Sequence, residues 1–290
     1  MFVLRRAPTA LLAAAVLAGC LPRPAPGEGR AQELTVGVAR FRIAYWPEDA
    51  GAARQVRHAL EKAAPRVARW GALRHPVTVT IYPSHDALEV AVQRSGYPWL
   101  KAWARYDTIE LQSPRTWGFL GASDREVEGL ITHELTHCAM YQVAGNDLDW
   151  MYKDIPVWFS EGIANVAARW GHRYGGIEDL YAFYREKLPG SGAGVPARMQ
   201  AGRNPVALPG DPIVDPGPIY QDHSEIVYGA AYFAAQFLIE RYGDARITRV
   251  LALMGTGKRF PAAFHEAIGI TEAEFASDFR RYVVWQGWRR

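Results

Sequence analysis

Apolar and polar residues alternate most clearly near the start of what reads as the folded part. Between residues 34 and 45, Val36, Val38, Phe41, Ile43 and Tyr45 alternate with other residues around Gly37 and Ala39, which predicts a strand or hairpin. Residues 50–70 carry Val56, Leu60, Val67 and Trp70 at helical spacing, with Pro65 expected to kink or divide the helix. A β-branched run over 77–82, stopped by Pro83, predicts a further strand; a helix over 86–93 and a short strand over 106–112 follow. Beyond Gly121 the period is helical almost throughout, over 124–142, 156–170, 177–188, 226–242, 245–254 and 272–286. Ser123 with Glu126, and Thr271 with Glu274, read as capping boxes, while Asp154 and Pro156 stand where a cap and a first-turn proline belong. The exception is 188–225, whose seven prolines and six glycines suit a long loop, read as a lid or cleft wall. Strands mixed with helices, then helices alone, make the chain α+β.

The extreme N-terminus follows another logic. Arg5 and Arg6 precede an apolar run over 7–19, too short to cross a hydrocarbon layer of roughly 30 Å comfortably, so it reads as a secretory signal. Leu17-Ala18-Gly19-Cys20 resembles the bacterial lipobox, in which the cysteine is acylated and becomes the new N-terminus. That resemblance implies a lipoprotein signal peptide over 1–19, a membrane anchor at Cys20 and a Pro/Gly-rich tether over 20–33. The folded part is then expected outside the cytoplasm, on the periplasmic side of a bacterial envelope. Losing Arg5 and Arg6 would remove two charges from a formal net +3, leaving no basic field of the size nucleic acid demands. With Cys20 acylated, Cys138 is a lone thiol, expected to be a small buried residue, and a disulfide scaffold is excluded.

Composition adds little beside one pentapeptide, His133-Glu134-Leu135-Thr136-His137. Residues four apart on a helix share a face, so both imidazoles can meet one metal ion, with Glu134 leaning towards the place of a reacting water. From this chain's 8 histidines, chance supplies such a pattern roughly 0.01 times, so the motif reads as a site. A catalytic zinc needs a third protein ligand. The metzincin pattern wants Gly and His where Met140 and Val143 stand, which excludes it. Trp158-Phe159-Ser160-Glu161-Gly162-Ile163-Ala164, following H-E-L-T-H, resembles the gluzincin peptidases, most closely the small peptidase MA-like members.

The resemblance implies a zincin-like α+β fold. An N-terminal mixed sheet with helices is expected over 34–122, and a central HExxH helix with a helical C-terminal lobe over 123–290. It implies one zinc ion held by His133, His137 and Glu161, with Glu134 as general base in peptide hydrolysis. Gly162 is expected to let the two ligand-bearing helices approach, and Asn165, a turn beyond Glu161, to orient His133. Tyr228, or alternatively His223, is expected to stabilise the oxyanion. Thr108, Ile109, Glu110 and Leu111 are expected to form the edge strand on which an extended polypeptide pairs. No G-x-M-E-N segment precedes the zinc helix, which favours an endopeptidase over an aminopeptidase. Two other readings use the same residues, a lipid-anchored zinc-containing binding or assembly protein and a zinc amidase acting on cell-wall material. The intact Glu134 favours hydrolysis.

Overall fold

A computed structural model describes residues 29–174, 176–187, 210–219 and 223–288. The lipobox, Cys20, most of the tether and residues 188–209 and 220–222 of the long loop lie outside the described residues. The described chain opens with a hairpin, β1 (Arg30–Val36) and β2 (Ala39–Tyr45), turned at Gly37, whose φ of +59° a side chain would strain. Arg30 pairs with Tyr45 and Glu33 with Arg42, so the sheet begins inside the stretch read as tether. Helix α1 (Ala50–Val67) crosses back and places β3 (Val77–Tyr82) parallel to β2. Pro65 falls in the last turn of α1, where it removes one backbone hydrogen bond without dividing the helix.

After α2 (His85–Val92), β4 (Ala102–Ala104) and β5 (Thr108–Gln112) pair antiparallel, with β5 parallel to β3. The sheet order is β1-β2-β3-β5-β4. Thr108, Ile109, Glu110 and Leu111 therefore do not form the edge expected for substrate. They lie between β3 and β4, with both ladders occupied, and the edge on that side of the sheet is the three-residue β4.

The remaining described elements are helical: α3 (Asp124–Ala144), α4 (Val157–Ala167), α5 (Ile177–Lys187), α6 (Ser224–Tyr242), α7 (Asp244–Gly255), α8 (Phe260–Ile268) and α9 (Glu272–Trp288). Helix α3 is buried along most of its length because it serves two cores. Val127, Ile131, Leu135, Cys138 and Ala139 pack with α1 and the sheet. Met140 and Ala144 join the core of the C-terminal helices, where Trp158, Phe159, Phe260, Phe264 and Phe275 interlock. No helix among the described residues is long and apolar enough to cross a membrane.

Both capping boxes form. Glu126 N–H donates to Ser123 Oγ at 3.3 Å while Glu126 accepts from Ser123 N–H at 2.8 Å, and Thr271 and Glu274 repeat the exchange. Asp154 caps a different helix from the one expected. Its carboxylate accepts from the backbone N–H of Phe260 at the start of α8, and Pro156 is itself the N-cap of α4.

Residues 210–219 are tied to α9 by a buried pair, Arg280 donating to Asp211 at 2.9 Å with the side chains 7% and 1% exposed. Asp211 also accepts from the N–H groups of Ile213 and Val214. Arg280→Met leaves a buried carboxylate without its cation, and a loss of about 3–5 kcal/mol is expected in denaturant unfolding.

A candidate metal centre

His133 and His137 lie one turn apart on α3 and are both buried. Their Nε2 atoms stand 3.2 Å apart. Glu161, from α4, brings Oε2 to 3.3 Å from His133 Nε2 and Oε1 to 3.5 Å from His137 Nε2. Four ligands at zinc bonding distance of about 2.05 Å define a tetrahedron with edges of about 3.3 Å. One ligand atom from each of the three residues lies within 4.8 Å of the other two, with each imidazole facing its own oxygen of the one carboxylate, and the donor set is the one zinc takes in catalytic sites. The two Nδ1 atoms are buried and have no hydrogen-bond partner, so only the Nε2 face of each ring is directed at a shared point.

Glu161 owes its position to the residue beside it. A Cβ on Gly162 would stand 2.2 Å from the Ala231 carbonyl oxygen and 2.8 Å from Ala235 Cβ, both on α6. The glycine therefore seats α4 on α6, not on α3 as expected. Gly162→Ala forces one helix away from a backbone carbonyl. About 1–3 kcal/mol of stability should be lost in thermal or denaturant unfolding. Zinc occupancy should fall with it, because the displaced helix carries Glu161.

The local charges bear on the chemistry. Burial pushes the Glu134 carboxyl above its ordinary range, against the pull of both imidazoles, while Glu161 adds repulsion. The nearby backbone N–H of Ala104, on β4, also favours the charged form. For His137 burial opposes the charged form, but the Glu161 carboxylate outweighs it and raises the pKa. Glu161 is held well below the carboxylate range by the same pair, despite burial.

These groups sit at the floor of a cleft of about 600 Å³. Tyr228 lines it and stacks on Tyr174 with ring centroids 6.1 Å apart. His223 does not line it; it stands exposed at the start of α6 against Phe183. Asn165 is fully buried, but its Oδ1 accepts from the Tyr174 hydroxyl at 3.1 Å and nothing joins it to either imidazole, so the expected support of His133 is not formed. What packs on His133 is Trp170, stacked at 4.7 Å, in the short 3-10 turn after α4. A Cβ on Gly129 would meet the Trp170 indole at 2.5 Å, so that glycine clears the place for the ring.

Several cleft residues were not foreseeable by motif: Trp103 and Ala104 on β4, Tyr141 one turn beyond His137, and Trp170, Arg173 and Tyr174. Only Tyr141 carried a signal, its four-residue spacing from His137 on the same helix face. Cys138 is buried as expected, with burial pushing its thiol pKa far up.

No family model and no curated protein matches this chain. Solved structures that resemble it include zinc metallopeptidases of the M1 family. One is the enzyme from Deinococcus radiodurans, at 17% identity and a TM-score of 0.35, covering 89% of this chain and 51% of that one. A glutamate-to-alanine mutant of the enzyme from the same organism gives 16%, 0.39, 88% and 52%. A two-domain M1 zinc metallopeptidase mutant bound to L-tryptophan gives 17%, 0.35, 89% and 51%. The chain spans about half the length of these structures, and likenesses of this size leave the functional argument to the site's own geometry.

Proposed function

We propose that the chain is a zinc-dependent peptidase, an endopeptidase by preference, in which His133, His137 and Glu161 hold the metal. One observation carries this reading: two imidazole Nε2 atoms 3.2 Å apart, facing the two oxygens of the Glu161 carboxylate at 3.3 and 3.5 Å, with the buried carboxylate of Glu134 beside them in an open cleft. When bound, zinc polarises a scissile carbonyl and makes water acidic enough to attack near neutral pH.

The protein's own groups do the rest. Glu134 accepts a proton from the attacking water and passes it to the leaving amine, a role its raised pKa suits. Tyr228, across the cleft, donates its hydroxyl to the developing oxyanion. On β4, the ladder to β5 uses the carbonyl of Lys101 and the N–H of Arg105, which turns the backbone groups of Ala102 and Ala104 outward. That outer edge is the place for an extended polypeptide to add a strand.

We also propose that acylated Cys20 anchors the protein on a membrane, with the catalytic part outside the cytoplasm; Cys20→Ser should then move it from the membrane fraction to the soluble one. For the activity, the test is zinc content of the purified protein and cleavage of casein. Cleavage should stop with a chelator and return with zinc. Zinc-loaded protein that cuts neither casein nor a mixed peptide library contradicts the proposal and leaves the binding-protein reading.

A further inference from the structure

The cleft outside the metal centre carries an unbalanced charge. Arg173 lies over the ring of Trp170 with its guanidinium carbon 3.8 Å from the centroid, Lys101 lies over Trp117 at 4.9 Å, and Arg94 over Trp103 at 4.1 Å. All three tryptophans line the cleft, as do Arg173 and Lys101 themselves. Among the described residues none of the three cations makes an ion pair. Glu134 and Glu161 belong to the metal centre. Glu126 also lines the cleft, held ionised by the N–H and hydroxyl of Ser123 and attracting Lys101 and Arg173, so outside the metal centre two lining cations stand against one acid.

A cation held flat on an indole is kept in place without being neutralised. For Arg173 the stacked guanidinium keeps its in-plane N–H groups for a carboxylate fork. The ring it lies on also stacks on His133 at 4.7 Å, which places Arg173 one indole away from the metal centre. Lys101 directly precedes β4, so it stands beside the path of a chain paired on that edge.

We infer that the cleft selects polypeptides bearing carboxylates next to the bond to be cut, received by Arg173 and, further along the strand, by Lys101. This rests on the peptidase reading and adds the substrate class. Two sources supply that chemistry, an acidic side chain and the terminal carboxylate of a peptide, and matched peptides separate them. One pair carries Asp and Glu or Asn and Gln beside the scissile bond; the other ends in a free acid or an amide.

Zinc-loaded protein should favour the acid member of at least one pair by about tenfold or more in kcat/KM at low ionic strength, the preference shrinking with salt. In R173Q/K101Q the ratio should fall towards one, while R173K keeps part of it. Zinc content and Tm are measured on each, and K101Q alone is the further variant where the double one does not fold. A ratio near one for both pairs in the unaltered protein overturns the inference, as does an unchanged ratio in a folded, zinc-loaded R173Q/K101Q protein. Cleavage with no acid preference leaves the peptidase reading standing and sinks only the substrate class; cleavage of no peptide at all sinks both.

Discussion

Glu134→Gln should keep its zinc and lose about two to four orders of magnitude in kcat on any peptide the parent cuts. The substitution nearly preserves shape. What it removes is the ability to take a proton. The buried carboxylate, pushed above the ordinary range, is closer in proton affinity to its task than an exposed one. None of the metal donors is touched, so metal content measured by elemental analysis should stay at one zinc per chain. A variant cleaving at the parental rate would remove Glu134 from the chemistry.

Glu161→Ala should weaken zinc binding by well over a hundredfold, since even partners that only support a ligand are worth about 10–100-fold. The two imidazoles remain, but the third corner of the tetrahedron is gone. The same substitution has a signature in the metal-free protein that does not depend on activity. The His137 pKa is raised in the folded chain, so its share of the attraction to Glu161 is full below the ordinary value of 6.5 and fades as pH rises through the folded value. The Glu161 pKa is lowered, so its share is full above 4.5 and fades as pH falls. The stability difference between parent and variant, both stripped of metal, should therefore peak between about pH 4.5 and 6.5. Zinc binding needs neutral imidazoles and should strengthen as pH rises past that window.

How much of this was legible in the sequence depends on how local each feature is. The HExxH turn and its capping box are written within fifteen residues, and α3 forms as read, because spacing on one helix fixes which side chains share a face. Glu161 is remote from His137, yet the resemblance of the segment around it, Trp158 to Ala164, to the gluzincin pattern marked it, and it meets both histidines. Tyr228 reaches the cleft and His223 does not, a choice made by where α6 begins, which periodicity locates poorly.

The misreadings share one cause, a partner chosen by tertiary packing. Residues 108–111 look like any short strand, and only the three-residue β4, too brief to show alternation, makes them interior. Asp154 has the chemistry of a cap, but its recipient is α8, more than a hundred residues away. Gly162 was rightly read as a place of close approach, with the wrong neighbour. Asn165 sits one turn from Glu161 as helical spacing requires, yet Tyr174 takes its oxygen. Trp170 and Arg173 lie in a short 3-10 turn with no periodic signal, although they form the cleft wall against His133.

The most direct test of the central claim is X-ray absorption at the zinc edge on the purified, zinc-loaded protein, compared with His133→Ala and Glu161→Ala. The predicted result is one zinc in a four-coordinate nitrogen and oxygen shell with two imidazoles at about 2.0–2.1 Å and no sulfur, losing one imidazole in His133→Ala and its tight binding in Glu161→Ala. A zinc shell built from other residues, or one unchanged by both substitutions, would contradict it.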